Sequence, residues 1–406
     1  MFEYFISILT ADAFLAKLLK DIGLSDALTG VLSSLISFTF LFQLFSIPLA
    51  GRLKKVRKPV IILDTLSQLL FAALYTVPFM AFGVTGKAVT VTVLILLAYL
   101  MLYLNTSICY KWGNSFVLPE NRGVFSATKE MISLMAGVFF TLGAGFVIDK
   151  FEADGNLHGG FKFTAVGMAV ICGCNFLCLF FMKDTALSES GAKQDFREIF
   201  KRTFLDKNVR NAMILTAMTE FARYMTIGFM GTYKTIDLGF SVSKIQIFNV
   251  AACLGRFVIS RPLGKYSDKK SFADGYFLGN ILTIAAFVIG IFTTPKTRWL
   301  ILPFTALYQM SFAGTNQNTF NMMYGYVDDE YILSAMAVNN SVRGISGFAA
   351  SFAGSLILDG IQKSGNVFLG VNVCAQQVLC VISAVLTTAA LVFNKKVVSK
   401  QIQNKK

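Results

Sequence analysis

Apolar residues fall along this chain in long continuous blocks separated by short polar or basic segments, and they do not alternate with polar positions every second residue. A helix needs roughly 20 apolar residues to cross a hydrocarbon layer about 30 Å thick, because each residue rises about 1.5 Å. The blocks match that length and predict twelve membrane spans. The first six cover 2–19, 28–50, 59–83, 88–110, 123–148 and 161–182. The second six cover 210–233, 244–263, 272–293, 299–325, 331–358 and 366–393. The pattern argues against a membrane β-barrel, whose strands alternate in character over about ten residues. The expected fold class is an all-α polytopic membrane protein.

Composition removes the soluble alternatives. Only 15% of the 406 residues are charged, where a soluble domain carries about 25%. Neither a cytosolic enzyme nor a disordered chain fits that deficit. The formal net charge of +14 would suggest nucleic acid in a soluble chain. Here the cations sit in short loops between apolar blocks, the positive-inside arrangement, so the lipid bilayer is the expected partner and nucleic acid is not. The seven cysteines lie inside apolar stretches, and the single histidine, His158, gives them no ligand partner. Buried inert thiols are expected, with no metal and no cofactor. The chain has no Gly-rich phosphate loop ending in Lys and no nucleophile–His pair, so neither ATP-driven work nor catalysis is expected. The first span lacks the basic flank and small-residue cleavage site of a signal peptide.

The first dense basic run, 52–58, holds Arg52, Lys54, Lys55, Arg57 and Lys58 and no acid. Its charge places it in the cytoplasm. Both termini then lie inside, and the short loops 84–87 and 294–298 lie outside. The longest loop, 183–209, becomes a cytoplasmic linker between a bundle at 1–182 and a bundle at 210–394, with a basic tail at 395–406. The expected location is a cell membrane crossed many times.

The two halves also echo one another. Gly23, Leu24 and Ser25 fall on Gly239, Phe240 and Ser241, and Asp21 falls on Asp237. Asp149 closes span 5 as Asp359 closes span 11, and Gly137 falls on Gly347. Paired halves about an axis normal to the membrane are a transporter signature. The same register would begin span 1 several residues before Met1, which leaves open a short first span or residues missing ahead of it.

Residues 262–270 read Pro-Leu-Gly-Lys-Tyr-Ser-Asp-Lys-Lys, with Gly264, Asp268, Lys269 and Lys270 in a Gly-x-x-x-Asp-Arg/Lys pattern. The first-half counterpart, from Gly51, keeps the glycine and the basic run but has Lys55 where the aspartate would stand. With this motif recurring between spans 2–3 and 8–9, the chain resembles the major facilitator superfamily, with the short loops of a bacterial type. The resemblance covers the whole chain at the level of topology. It implies two pseudo-symmetric six-helix bundles, a monomer, and transport by alternating access. It also implies a central cavity lined by spans 1, 4, 7 and 10, with spans 3, 6, 9 and 12 facing lipid. The loop motif would stabilise a closed cytoplasmic gate. On that basis Lys54, Lys55 or Arg57 is expected to meet the acidic triplet Asp328, Asp329 and Glu330, while Asp268, four residues after Gly264, meets Arg122. Solvated loop charges are the alternative.

Ionisable groups within spans are costly and are functional candidates by default. Span 7 carries Glu220 and Arg223, three residues apart and so on one face. Span 1 carries Glu3 and Asp12, span 5 carries Lys129 and Glu130, and span 11 carries Arg343. Glu220, Arg223 and Asp12 are the candidate ion-coupling groups. A structural Glu220–Arg223 pair and an outer-mouth position for Asp12 stay open. Span 10 is unusually polar, and span 4 holds Asn105, Thr106, Lys111 and Trp112. The candidate substrate contacts are Asn105, Lys111, Trp112, Gln309, Asn316, Gln317, Asn321 and Arg343. Amide bonds between helices and snorkelling of Lys111 are the plainer readings.

Arg343, Lys129 and Arg223 would give a cavity a positive lining suited to a carboxylate or phosphate, whereas a sugar would use the amides, Trp and Tyr. The expected function is secondary-active transport of a small polar solute, a sugar or organic anion, coupled to H+ or Na+. Export of drugs or amphipathic compounds by proton antiport is the alternative. Span 5 lacks the Gly-Pro-rich signature of such exporters, which counts against it. A sensor or scaffold would need a soluble domain or docking tail, and the chain has neither beyond its short tail.

Overall fold

The computed structural model describes residues 2–53, 55–116, 122–184, 204–324, 332–368 and 370–400. All twelve spans are helical, and several are broken. Span 1 consists of Phe2–Leu9 and Asp12–Asp21. Span 2 runs as Asp26–Ser33, Leu35–Thr39 and Gln43–Arg52. Spans 3 to 6 are Arg57–Leu74, Val84–Ser115, Arg122–Ala153 and Leu157–Phe181. Span 7 is Lys207–Ile227, continued by Met230–Thr232 and a π-turn, Tyr233–Asp237. Spans 8 to 12 are Val242–Lys269, Phe272–Ile291, Ile301–Tyr324, Ile332–Lys363 and Ala375–Phe393. Seven of these, spans 2, 4, 6, 8, 9, 11 and 12, are long and apolar enough to cross a membrane by themselves among the described residues. Others depart for visible reasons. Span 1 is interrupted, span 3 carries Arg57, Lys58 and Asp64, and span 7 carries Lys207, Arg210, Glu220 and Arg223.

The breaks in spans 1 and 7 follow the repeat. The register that sets Asp21 on Asp237 sets Asp12 on Gly228. Asp12 opens the second piece of span 1 with φ +45°, in the left-handed region that L side chains rarely adopt, and Gly228 closes the main helix of span 7. The paired turn glycines Gly23 and Gly239 likewise both take positive φ, +91° and +65°. There a side chain would be strained and glycine is not.

Several element boundaries differ from those expected, among them the end of span 3 at Leu74 rather than 83 and the end of span 8 at Lys269 rather than 263. Span 4 begins at Val84, so 84–87 is helix rather than an outer loop. Span 12 begins only at Ala375. Ahead of it, Val367–Phe368 pairs antiparallel with Val371–Asn372 in a small hairpin. Gly365, Asn366 and Gly370 all have positive φ there, which ends helix 11 and turns the chain back. The thiols also differ in part from expectation. Cys172 and Cys380 are buried, but Cys109, Cys174, Cys178 and Cys253 are exposed on helix faces.

Two compact units result. The first comprises Met1–Leu24, Phe42–Phe196 and Ser241–Gln246. The second comprises Ser25–Leu41, Arg197–Phe240 and Ile247–Lys406. Each takes in a segment from the opposite half of the sequence. In the first unit, Asp149 at the end of span 5 accepts from the backbone N–H of Val242 and Ser243 at 2.9 and 2.8 Å. This caps the N-terminus of span 8, where a carboxylate is favoured. In the second unit, the first part of span 2 lies on span 11 through small residues. Ser37 donates to the Gly344 carbonyl at 3.1 Å, Ser341 donates to the Phe40 carbonyl at 3.3 Å, and Ser351 bonds Ser34. A Cβ at Gly344 would sit 2.2 Å from the Ser37 carbonyl oxygen, so this close approach requires glycine.

Candidate functional site

The polar groups of the second unit gather where spans 7, 9, 10 and 11 meet. Glu220 is buried on span 7 and forms an ion pair with Arg343 of span 11. Arg343 also reaches Asn340, one turn back, at 3.4 Å. The pair is legible in neither element alone, because the two residues are separated by most of the second half of the sequence. The expected structural alternative, a pair between Glu220 and Arg223, is not what forms.

Arg223 turns the other way. It is 1% exposed and donates to the hydroxyls of Thr283, Ser311 and Thr315 at 3.3, 3.2 and 3.1 Å. Its guanidinium lies 4.6 Å from the Phe312 ring centre and 5.8 Å from that of Tyr308, in cation–π contact with both. The hydroxyls are held in turn by their own helices, as Thr315 bonds the Ser311 carbonyl and Thr283 the Gly279 carbonyl. Nε of both Arg223 and Arg343 is buried without a partner. The cluster thus holds two guanidiniums around one carboxylate, with Asn339 bonded to Thr216 at 2.9 Å one helical turn away.

The other expected site residues fall in varied surroundings. On span 10, Gln309 and Asn321 are half-buried and Asn316 is exposed. Asn318 is buried and bonds Ser267 at 3.1 Å, so one of the amides joins helices. The side chains of Gln317, Lys111 and Arg122 lie outside the described residues, as does the triplet Asp328, Asp329 and Glu330. Asp268 is exposed at the end of span 8, next to half-buried Gly264.

In the first unit, Asn105 is buried, with Oδ1 unpartnered. Asp12 is half-buried at the break of span 1. Trp112 does not present its ring to a cavity. It is 1% exposed and packs with Val56, Val60 and Ile108, while its indole N–H donates to the Lys183 carbonyl at 3.2 Å. Its size and its single donor are both satisfied by the core at the start of span 3 and the ends of spans 4 and 6. Lys55 is exposed. Arg57 bonds the Phe180 carbonyl and lies over the Phe180 ring at 5.1 Å, which ties span 3 to the end of span 6.

Sequence reasoning missed the hydroxyls of Thr283 and Ser311 and the rings of Phe312 and Tyr308 around Arg223. A lone Thr or Ser in a span carries no signal of its own. It also missed Asp64, an acid inside span 3.

Residues 1–351 match the model of a family described as the Major Facilitator Superfamily. No curated protein matches the chain. Among solved structures, the chain is similar to the nucleoside transporter NupG, with 13% identity, a TM-score of 0.70, and coverage of 97% of this chain and 96% of that one. It is similar to a D-xylose-proton symporter at 12% identity and TM-score 0.68, covering 97% and 94%. It is also similar to the POT family transporter PepTSo at 11% identity and TM-score 0.70, covering 97% and 95%. At these identities the likeness is one of fold.

Proposed function

The chain belongs to the Major Facilitator Superfamily, and from that premise we propose that it is a secondary-active transporter that couples movement of a small polar solute to H+. The observation that carries this reading is the buried Glu220–Arg343 pair beside Arg223. An ionised carboxylate is retained there by a guanidinium on another helix. A proton arriving on Glu220 cancels its charge and frees Arg343. The released guanidinium, with its Nε already unpartnered, offers two adjacent donors to a carboxylate or phosphate oxygen pair. Proton uptake and binding of a solute with an anionic or hydrogen-bonding group are coupled in this way. A sodium ion would need several oxygen ligands around Glu220, and its described partner is a guanidinium instead.

The similar folds include one whose name states proton symport, which supports the same reading. The basic run at 52–58 and Asp268 belong to the cytoplasmic gate in this proposal, and both termini lie in the cytoplasm of a cell membrane.

The test begins with a thermal-shift screen of the purified chain against sugars, nucleosides, peptides and organic anions at several pH values. A bound solute raises apparent stability by mass action. Solutes that shift the chain are then followed into proteoliposomes under a pH gradient. Glu220→Gln is expected to abolish gradient-driven accumulation while leaving solute exchange intact. Unchanged accumulation in that variant would remove Glu220 from the coupling step.

A further inference from the structure

Span 3 buries a second carboxylate that the transport reading does not use. Asp64 is 6% exposed and faces span 6. Gln68, one turn further on, donates Nε2 to Asp64 Oδ2 at 3.0 Å, and Asn175 of span 6 donates Nδ2 to the same oxygen. Both amides converge on Oδ2, so Oδ1 is left outside these bonds. Among the described residues, no side-chain cation forms an ion pair with Asp64, although the positive charge of the chain's amino terminus acts on it. Two oxygen atoms on the same stretch of helix, Thr65 Oγ1 and Gln68 Oε1, are buried without any partner. Gln68 as a whole is 1% exposed.

We propose that Asp64 is a proton-binding site, in which Oδ1 takes the proton while Gln68 and Asn175 hold Oδ2. A buried carboxylate that no described side-chain cation pairs has a proton as the partner it can recruit from solvent. Two amides give it hydrogen bonds in either state but no positive charge. The step is simple in its balance. One proton leaves water, one O–H bond forms on Oδ1, and the charge of the site rises from −1 to 0. The new O–H is also a donor, placed in a cluster whose unpartnered oxygens are acceptors.

Besides the amino-terminal charge, few titratable groups among the described residues stand near the site. From span 6, the thiol of Cys172 lies beside Thr65, whose carbonyl it approaches at 3.7 Å. From span 4, Tyr99 stands edge-on to Phe71, and Lys87 donates to the Pro78 carbonyl near the opposite end of span 3. From the first piece of span 1, Glu3 is exposed. On span 3 itself, Arg57 and Lys58 are at the helix start, about two turns or 10 Å away, and Arg57 is engaged with Phe180. That distance from the basic end fits a site reached from the cytoplasmic side.

The experiment is infrared spectroscopy of the purified full chain across a pH series in H2O and D2O, which reads the carbonyl band of protonated carboxyl groups directly. The wild type is expected to show such a band at neutral pH, to lose it on alkalinisation, and to bind one proton more than Asp64→Asn over the same range. Asp64→Asn is expected to lack the band, and Glu220→Gln to keep it. Asp64→Glu retains an acid, so its band should be displaced rather than lost, which serves as the reading if the asparagine variant does not fold. A spectrum identical in wild type and Asp64→Asn at every pH, with equal proton counts, would overturn the proposal. A band lost from Glu220→Gln and kept in Asp64→Asn would overturn it too and would assign the proton to Glu220.

Discussion

Among the described residues, each compact unit buries one acid within its helices, and the two are treated differently. Glu220 in the second unit meets a guanidinium from another span, with a further guanidinium close by. Asp64 in the first unit takes its described hydrogen bonds only from amides and has no described side-chain cation paired to it. A charge matched by a fixed opposite charge stays ionised until a proton displaces that partner, and removing either partner strands the other. A charge that no described side-chain cation matches relies more on a mobile cation, and the proton is the smallest one available. The two sites therefore separate two ways of keeping an acid in a membrane, one by a built-in partner that a proton must displace and one by exchange of a proton without such a partner.

The largest effect is expected from breaking the fixed pair on one side. Arg343→Gln leaves Glu220 buried without its guanidinium, and losing one member of a buried pair costs about 3–5 kcal/mol. The expected outcome is a marked drop in the thermal midpoint in detergent. The double variant Glu220→Gln with Arg343→Gln removes both charges and should recover most of the loss. If the double variant is no more stable than Arg343→Gln, the pair is not what holds spans 7 and 11 together, and the contrast with Asp64 fails.

Arg223 gives a middle case. It is a buried cation whose described hydrogen bonds go only to hydroxyls. Replacing it with Met of similar reach strands no carboxylate, and Ser311, Thr283 and Thr315 keep bonds to their own helix carbonyls. The loss should be about 1–2 kcal/mol, covering three hydrogen bonds and the ring contacts less the relief of a buried charge. A cost equal to that of Arg343→Gln would mean that Arg223 also compensates Glu220 and that the acid has two fixed partners.

These differences mark what a sequence can disclose here. The spans, the two-half repeat and the family resemblance were all legible, because block length and repeated glycine–serine and aspartate positions are local signals. The breaks in spans 1 and 7 carry no local signal, and the repeat position that Asp12 and Gly228 share is their one mark in the sequence. The start of span 12 was misjudged because Val367, Phe368, Val371 and Val373 read as apolar helix, while the positive φ at Gly365, Asn366 and Gly370 favours a hairpin. Glu220, Arg223 and Arg343 were each visible as charges in apolar blocks. Their pairing was not, since it depends on which faces of spans 7 and 11 meet. Trp112 is ambiguous in the sequence for the opposite reason. A large aromatic in a span expected to line a cavity suits a core equally well, and only the packing of Val56, Val60 and Ile108 decides between them.

The smallest effect, and the sharpest test of the contrast, concerns the amides around Asp64. If Asp64 is neutral when the chain is stable, Asp64→Asn replaces a protonated carboxyl with a group of nearly the same shape and hydrogen-bonding capacity. Its cost at neutral pH should be under about 1 kcal/mol, the scale of one neutral hydrogen bond. Asn175→Leu removes one of the two donors on Oδ2. The neutral acid keeps Gln68 and loses about one hydrogen bond, while the ionised form loses half of its solvation. The two variants should therefore separate with pH. Asp64→Asn stays flat as pH rises, while wild type and Asn175→Leu both lose stability once the proton is removed, with Asn175→Leu losing more. The measurement is the thermal midpoint from mildly acidic to alkaline pH for the three proteins side by side. Parallel curves for all three would mean that the charge state of Asp64 does not change over the range, and the acid would then have to be grouped with Glu220 as one held by fixed partners.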